Sequence, residues 1–358
     1  MGDNGDTRPA RLRSTLITAV RLVAAVAIGY FVVATTVGQW SHVRDTFHRL
    51  SWPLVGLSLV MALLGITTNA YAWRAALADL DHEVPIRSAG QVFLVGQLGK
   101  YLPGSVWSYV LQMELGQRAG IPRARAFLAS LISTGIGITV GLAVGALGLR
   151  GTFVAGRSGD HATLARAAFY LALALLPIAL VCAHPAVLSR LVGLLLRVLR
   201  RPPLDRPLSW AGVLRVAAWS AAGYLFFGLH LWLLARSQAG AGWTGLGLCV
   251  AAVGLSISVS TFVVLAPSGL GVREFLIAVT LMAVGLPYGT GYAIALASRL
   301  VATVADVVAA GGAALNGVRR VRHPAAPSDP SGPDGSVGSV GPVNRPDRPG
   351  TRPRSARR

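Results

Sequence analysis

Charged residues are scarce in this sequence, and lysine is all but missing. Only 13% of the 358 residues are Asp, Glu, Lys or Arg, about half of what a soluble domain carries. A single lysine, Lys100, stands against thirty-two arginines. There are two cysteines, Cys182 and Cys249, both inside apolar runs and without CxxC spacing or a histidine partner. That excludes a disulfide framework and a zinc site. Signatures of soluble catalysis are absent as well: no Walker loop, no HExxH, no GxSxG and no dinucleotide fingerprint after a strand. Three acids, Glu114, Glu274 and Asp306, fall within or beside apolar segments. They are too few and too scattered for a metal-dependent lipid-phosphate enzyme. No catalytic residue, metal or cofactor is therefore expected, and His230, alone in an apolar helix, reads as a packed, hydrogen-bonded core histidine.

What the chain has in abundance is apolar sequence, 53% of its residues, with a mean hydropathy of +0.57. About twenty apolar residues cross the hydrocarbon core as a helix. Stretches of that kind lie at roughly 16–37, 53–73, 127–149, 164–183, 213–235, 244–266, 268–286 and 289–316. The seventh is short and interrupted by glycine. The first is too long for a signal peptide and has no small-residue cleavage site after it, so it reads as a retained helix. The fold class expected is an all-α integral membrane protein of about eight transmembrane helices. Between the second and third spans, residues 88–117 are apolar but broken by Gly-Lys-Tyr-Leu-Pro-Gly, which reads as one re-entrant pair of half-helices.

The net charge of +19 would suggest nucleic acid if the arginines formed a patch. They are spread instead over the segments between apolar runs, where they suit anionic lipid headgroups and not nucleic acid. With the N-terminus inside, the inner segments 1–15, 74–87, 117–126 and 184–215 carry 14 Lys/Arg against 6 in the outer ones. This bias orients both termini to the cytoplasmic side of the inner (cytoplasmic) membrane. Residues 186–201 place Arg190, Arg197 and Arg201 on one helical face, which suits either a helix lying on the inner leaflet or an ordinary basic loop. Three regions result: a basic N-terminus at 1–15, a transmembrane domain at 16–318, and a basic tail at 319–358. The tail is too poor in large apolar residues to bury a core and is expected to be disordered.

The chemistry is sought where charge enters lipid, because a charged side chain at membrane depth costs at least about 2.5–3.5 kcal/mol. Two segments concentrate such residues. In GQLGKYLPGSVWSYVLQMELG, residues 96–116, glycines and Pro103 break any continuous helix, and Pro103 suits the first turn of a new one. The unpaired N–H groups of that helix start, at Gly104, together with Lys100, would hold an anion such as phosphate. Glu114 lies at the far end of the same helix. The second segment, LAPSGLGVREF at 265–275, repeats the pattern: Pro267, Gly269 and Gly271 break the chain, Ser268 can cap, and Arg273 and Glu274 open the next run. Paired broken segments in two halves of a transporter point to its binding site. Arg273 and Glu274 are adjacent and so cannot face each other on a helix. Glu274 is expected to pair with Arg299, leaving Arg273 for phosphate or for Asp306. The substrate-binding set is thus Lys100, Pro103, Gly104, Ser268 and Arg273. Glu114, Glu274, Arg299 and Asp306 are ion-pair or gating residues, or alternatively a network that only locks the helices together. Both breaks are expected to face one cavity, with Lys100 and Arg273 within about 12 Å, the scale of a ligand pocket.

The segments VFLVGQLGKYLPGSVWSYV, LAPSGLGVREF and NAYAWRAAL resemble the flippase-like membrane domain of lysylphosphatidylglycerol synthetases, over roughly residues 15–318. The resemblance implies a polytopic bundle that moves a lipid or glycolipid between leaflets. Bifunctional members carry an aminoacyl-transferase domain after the membrane part. Here that place holds the polar tail, so the expectation is a stand-alone member that performs no aminoacylation and whose cargo need not be the lysyl-lipid. Some relatives occur beside polyprenol-linked or glycolipid glycosyltransferases, which keeps those lipids open as cargo. The leading expectation is a translocator of a phosphate-bearing phospholipid or glycolipid, with no ATP site of its own. Two other classes stay open: a membrane-embedded glycosyl or lipid-phosphate transferase, and a non-catalytic partner of a lipid-modifying synthase or glycosyltransferase.

Overall fold

The computed structural model describes residues 30, 33–102, 106–154, 160–198, 200, 204, 206–239, 244–262, 269–282 and 285–322. The expected first span, the basic N-terminus and the tail beyond 322 lie wholly or mostly outside these residues. Among the described residues there is no strand. The helices are α1 (Trp40–Arg49), α2 (Trp52–Asp79), α3 (Ile86–Gln97), α4 (Trp107–Arg118), α5 (Arg123–Val154), α6 (Asp160–Ala183), α7 (Pro185–Val198), α8 (Trp210–Ala239), α9 (Thr244–Thr261), α10 (Val272–Met282) and α11 (Tyr288–Arg322). A short 3₁₀ turn, Leu98–Tyr101, follows α3.

Four of these helices are long and apolar enough to cross a membrane: α2, α5, α8 and α11. A fifth crossing arises if α6 and α7, bent by 71° at His184, count as one. The first of the eight apolar stretches lies outside the described residues, and α9 and α10 are shorter than the four crossing helices. Helix α10 has 11 residues, about 16 Å of rise, well short of a hydrocarbon core of about 30 Å. It is cut off by Gly269 and Gly271 on one side and Gly285 on the other, all with positive φ. Helices α3 and α4, 12 residues each, are likewise half-length, as the broken sequence between them requires. The spans show lipid-facing stripes: Leu57, Val60 and Leu64 on α2, and Leu300, Val304, Val307 and Val308 on α11, are all exposed. Aliphatic rows of that length fit a hydrocarbon solvent and not water.

The bundle is assembled by close contact more than by large side chains. Helices α2 and α8 form the most extensive pairing, with Gly65 against the ring of Phe227 and Gly223 against Thr68 and Asn69. Helix α5 meets α9 through Gly141 and Gly254: a Cβ on Gly254 would lie 2.7 Å from the Gly141 carbonyl oxygen. Small residues that let backbones touch are the usual way to join helices in lipid, where burial of apolar groups gives little drive. At the end where α2 finishes, a polar knot closes the bundle. Asp79 accepts from the Ser209 amide at 3.0 Å and its hydroxyl at 2.6 Å, Arg74 donates to the Val84 carbonyl at 2.8 Å, and Arg125 donates to the carbonyls of Leu80 and Asp81. Helix α7 packs Val192 and Leu196 inward and exposes Arg190, Leu191, Leu194 and Arg197. It is a helix, which settles that element's local structure.

The α5–α9 contact yields the first prediction. Gly141→Val places side-chain atoms against the Tyr224 hydroxyl, at 2.7 Å from the Cβ, and the Gly254 carbonyl, at 2.9 Å. Overpacking of this kind typically costs about 1–3 kcal/mol. The variant is expected to melt at lower temperature in detergent, while Gly135→Ala, which meets nothing within 4 Å, melts like wild type.

Candidate functional site

The two broken segments meet. A cavity of about 330 Å³ lies inside the bundle, and its lining includes Gln97, Lys100 and Tyr101 from the first break and Gly269 and Arg273 from the second. Helix α11 contributes Arg299, Thr303 and Asp306 to the same space. The geometry follows from local chain rules. Gly96 and Gly99 let α3 fold back against α4: a Cβ on Gly99 would stand 2.6 Å from the Ser108 amide nitrogen, and one on Gly96 would strike the Gln112 side chain. Gly269 takes φ +67° because its hydrogen faces Ser260, 2.5 Å from where a Cβ would lie. Pro103, Gly104 and Ser268 lie outside the described residues.

The charges are arranged as two ion pairs and one cation. Glu274 is buried, 2% exposed, and ion-paired to Arg299, the partner the sequence pattern assigns it. Its other oxygen accepts from the Gly271 amide at 2.6 Å. Gly271 is the N-cap residue of α10 and Glu274 the third residue, so this is the reciprocal half of a capping box built without its serine. Asp306, 5% exposed, accepts from Lys100 Nζ at 2.6 Å and from the Tyr101 hydroxyl at 2.6 Å. Lys100 also lies over the Tyr101 ring, 5.5 Å from its centroid. Of the two partners left open for Arg273, phosphate and Asp306, the second is held by Lys100, which enters the cavity already paired. Arg273 lines the cavity and, among the described residues, has no hydrogen-bond or ion-pair partner.

Glu114 is apart from this group. It sits exposed near the end of α4, with Arg123 at 2.6 Å and Arg118 at 3.6 Å. The hydrogen bond from Arg123 holds its carboxyl below the usual range. Its place is at the bundle's surface, not in the cavity. His230 is buried and fully engaged, with Nδ1 at 2.6 Å from the Ser58 hydroxyl and Nε2 at 2.8 Å from that of Ser298. It ties α8 to α2 and α11.

The rest of the lining is neutral and polar. Asn69, Ser133, Thr134, Ser220 and Ser260 face the cavity from four helices. Behind them runs a relay: Trp73 Nε1 donates to the Ser130 hydroxyl at 2.9 Å, which donates to the Gln112 side chain. This relay fixes α4 to α2 and α5 beside the first break. None of these residues stood out in sequence, although Asn69 and Trp73 lie in the NAYAWRAAL segment. Among the described residues no group of three or more His, Cys, Asp and Glu side chains could hold a metal.

A helical bundle with apolar crossing helices, half-length helices beside a polar cavity, and two buried ion pairs at that cavity defines a polytopic membrane protein. Residues 19–310 match the family described as the lysylphosphatidylglycerol synthase TM region, and the chain belongs to that family. No curated protein matches the sequence.

The buried pair sets the second prediction. Removing one partner of a buried ion pair costs about 3–5 kcal/mol, whereas replacing both is far milder. Glu274→Gln is therefore expected to destabilise more than the double variant Glu274→Gln with Arg299→Met, as thermal unfolding in detergent would read. A double-mutant cycle in which the separate effects of Glu274→Gln and Arg299→Met simply add up to that of the double variant would mean that the two groups do not interact.

Proposed function

We propose that this chain translocates a phosphate-bearing lipid or glycolipid between the leaflets of the cytoplasmic membrane, its headgroup passing through the central cavity. The observation that carries the reading is the charge count there. Lys100, Arg273 and Arg299 face two acids, Glu274 and Asp306, and both acids are already bound. An excess cation in a space of low dielectric favours an anion. Arg273 is the second residue of α10, so the unpaired amides and positive dipole end of that helix add to the same field. At about 330 Å³, the cavity is at the small end of ligand sites and suits a headgroup whose acyl chains stay in lipid. The lining gives a substrate polar contacts but no nucleophile–base pair, so the reading includes no chemical step. Without a nucleotide loop, movement is passive, gradient-coupled or driven by a partner such as a lipid-modifying synthase or glycosyltransferase. Both termini are cytoplasmic in this reading, on the strength of the arginine bias.

Reconstituted vesicles carrying a headgroup- or tail-labelled phosphatidylglycerol test this. Wild-type protein is expected to expose inner-leaflet label to an external quencher, and Arg273→Gln to slow that exposure at least tenfold with an unchanged melting temperature. An equal rate in Arg273→Gln would remove the anion site from the mechanism. Lys100→Arg is expected to impair transfer although charge is kept, because a planar guanidinium does not reproduce the compact contact of an ammonium with Asp306 and the Tyr101 ring. Cysteines introduced near Ser158 and near Ser328 are expected to label from opposite sides; labelling of both from outside would overturn the orientation.

A further inference from the structure

A second hollow, of about 550 Å³, lies between α2, α3 and the end of α11, and it shares no residue with the central cavity. Its shape follows from helix periodicity. On α3 the wall is Arg87, Gly90, Gln91 and Leu94, which recur every three or four positions and so form one stripe about 10 Å long, parallel to the helix axis. On α2 the facing stripe is Thr67, Ala70 and Tyr71. The groove therefore runs between α2 and α3, with its one cation, Arg87, at one end and neutral residues along the rest. Arg87 stands at the start of α3, beside the polar loop that follows α2. Gly90, Ala70 and Leu94 line the part that goes deeper into the bundle.

Two donors in this groove are unused. Among the described residues Arg87 has no ion-pair or hydrogen-bond partner, and the Tyr71 hydroxyl has none either. Tyr71 is held in place by stacking on Trp219, with centroids 4.6 Å apart, so its hydroxyl is presented by a fixed ring. The opposite wall is fixed by Gln91, which donates to the Ala313 carbonyl at 3.1 Å. Gly90 keeps the middle open: a Cβ there would meet only the Leu94 side chain, at 4.0 Å. Among the described residues no Asp or Glu lines the groove.

We infer that this groove binds one anionic phospholipid, its phosphodiester on Arg87, an acyl-ester carbonyl further along on the Tyr71 hydroxyl, and one acyl chain lying along Gly90, Leu94 and Ala70. An unpaired cation at the water-side end and an apolar trough leading away from it match an amphiphile in the orientation the leaflet already gives it. A basic pocket between transmembrane helices is a known physical basis for anionic-headgroup binding. The absence of an acid disfavours a zwitterionic headgroup, whose ammonium would have no counter-charge. The site does not rest on the translocation reading and would hold its lipid whether or not the central cavity moves one.

Native mass spectrometry of the full chain, released from nanodiscs of phosphatidylglycerol or of phosphatidylcholine, tests this directly. The wild type is expected to retain one more phosphatidylglycerol than Arg87→Gln does, and no corresponding phosphatidylcholine. Gly90→Leu, which fills the trough, is expected to lose the same lipid. Arg87 is exposed, so its replacement leaves packing intact and a matching melting temperature can be checked beside the spectra. Arg273→Gln is expected to keep the groove lipid, which separates this site from the central one. Equal retention by wild type, Arg87→Gln and Gly90→Leu, or equal retention of the two lipids by wild type, would overturn the assignment.

Discussion

A carboxylate out of water must be given its counter-charge and its hydrogen bonds by the protein, and the site in this bundle is organised around Glu274. The side chain is 2% exposed. Ionised, it needs donors for both oxygens, because an uncompensated charge in this environment costs several kcal/mol. One oxygen takes Arg299 from α11 and the other takes the amide of Gly271. Those two bonds determine where α10 begins, how it stands against α11, and that the residue just before Glu274 lies on a different face. Arg273 is aimed at the cavity because Glu274 is not. The left-handed turns at Gly269 and Gly271 follow, since a chain entering α10 from any other direction would not bring the Gly271 amide to that carboxylate.

The cavity itself depends on a second economy of space. Polar residues at membrane depth need either partners or room, and close helix contacts elsewhere leave the room in one place. Gly141 against Gly254, Gly65 against Phe227, and Gly96 and Gly99 against α4 draw helices together around the cavity's edge. The Trp73–Ser130–Gln112 relay then holds the fold-back of α3 on α4, without which Lys100 would not reach Asp306 across 206 positions of sequence. Packing and electrostatics are coupled here through the glycines.

Much of this was legible in the sequence, and the part that was not has a physical explanation. Both breaks could be read because glycine and proline interrupt helices wherever they stand. The Glu274–Arg299 pair could be read because adjacent Arg and Glu diverge on a helix and α11 holds few cations. The Lys100–Asp306 pair could not. Nothing in the sequence brings Lys100 to Asp306, and only the fold-back of α3 on α4 does so. The neutral lining was hidden for a different reason. Serine and threonine in a membrane helix look the same whether they only bond their own backbone, as Thr280 does, or face a cavity, as Thr134 and Ser220 do. Helix length was less legible than helix position, since apolar sequence does not reveal where a positive-φ glycine, such as Gly271 or Gly285, bounds a helix.

The charge count also bears on how such a cavity could be emptied and refilled. With two acids neutralising two of three cations, the unloaded space carries one positive charge, which disfavours any rearrangement that brings it deeper into lipid. A singly charged phosphodiester headgroup on Arg273 makes the whole cluster neutral. On the translocation reading, the loaded protein is then the one that rearranges most readily. A dianionic headgroup would instead leave one negative charge, unless Lys100 left Asp306 to meet it. Asp306 would then keep only the Tyr101 hydroxyl. The same five groups thus treat monoanions and dianions differently: the first binds without disturbing either pair, and the second is accommodated only at the expense of the Lys100–Asp306 bond.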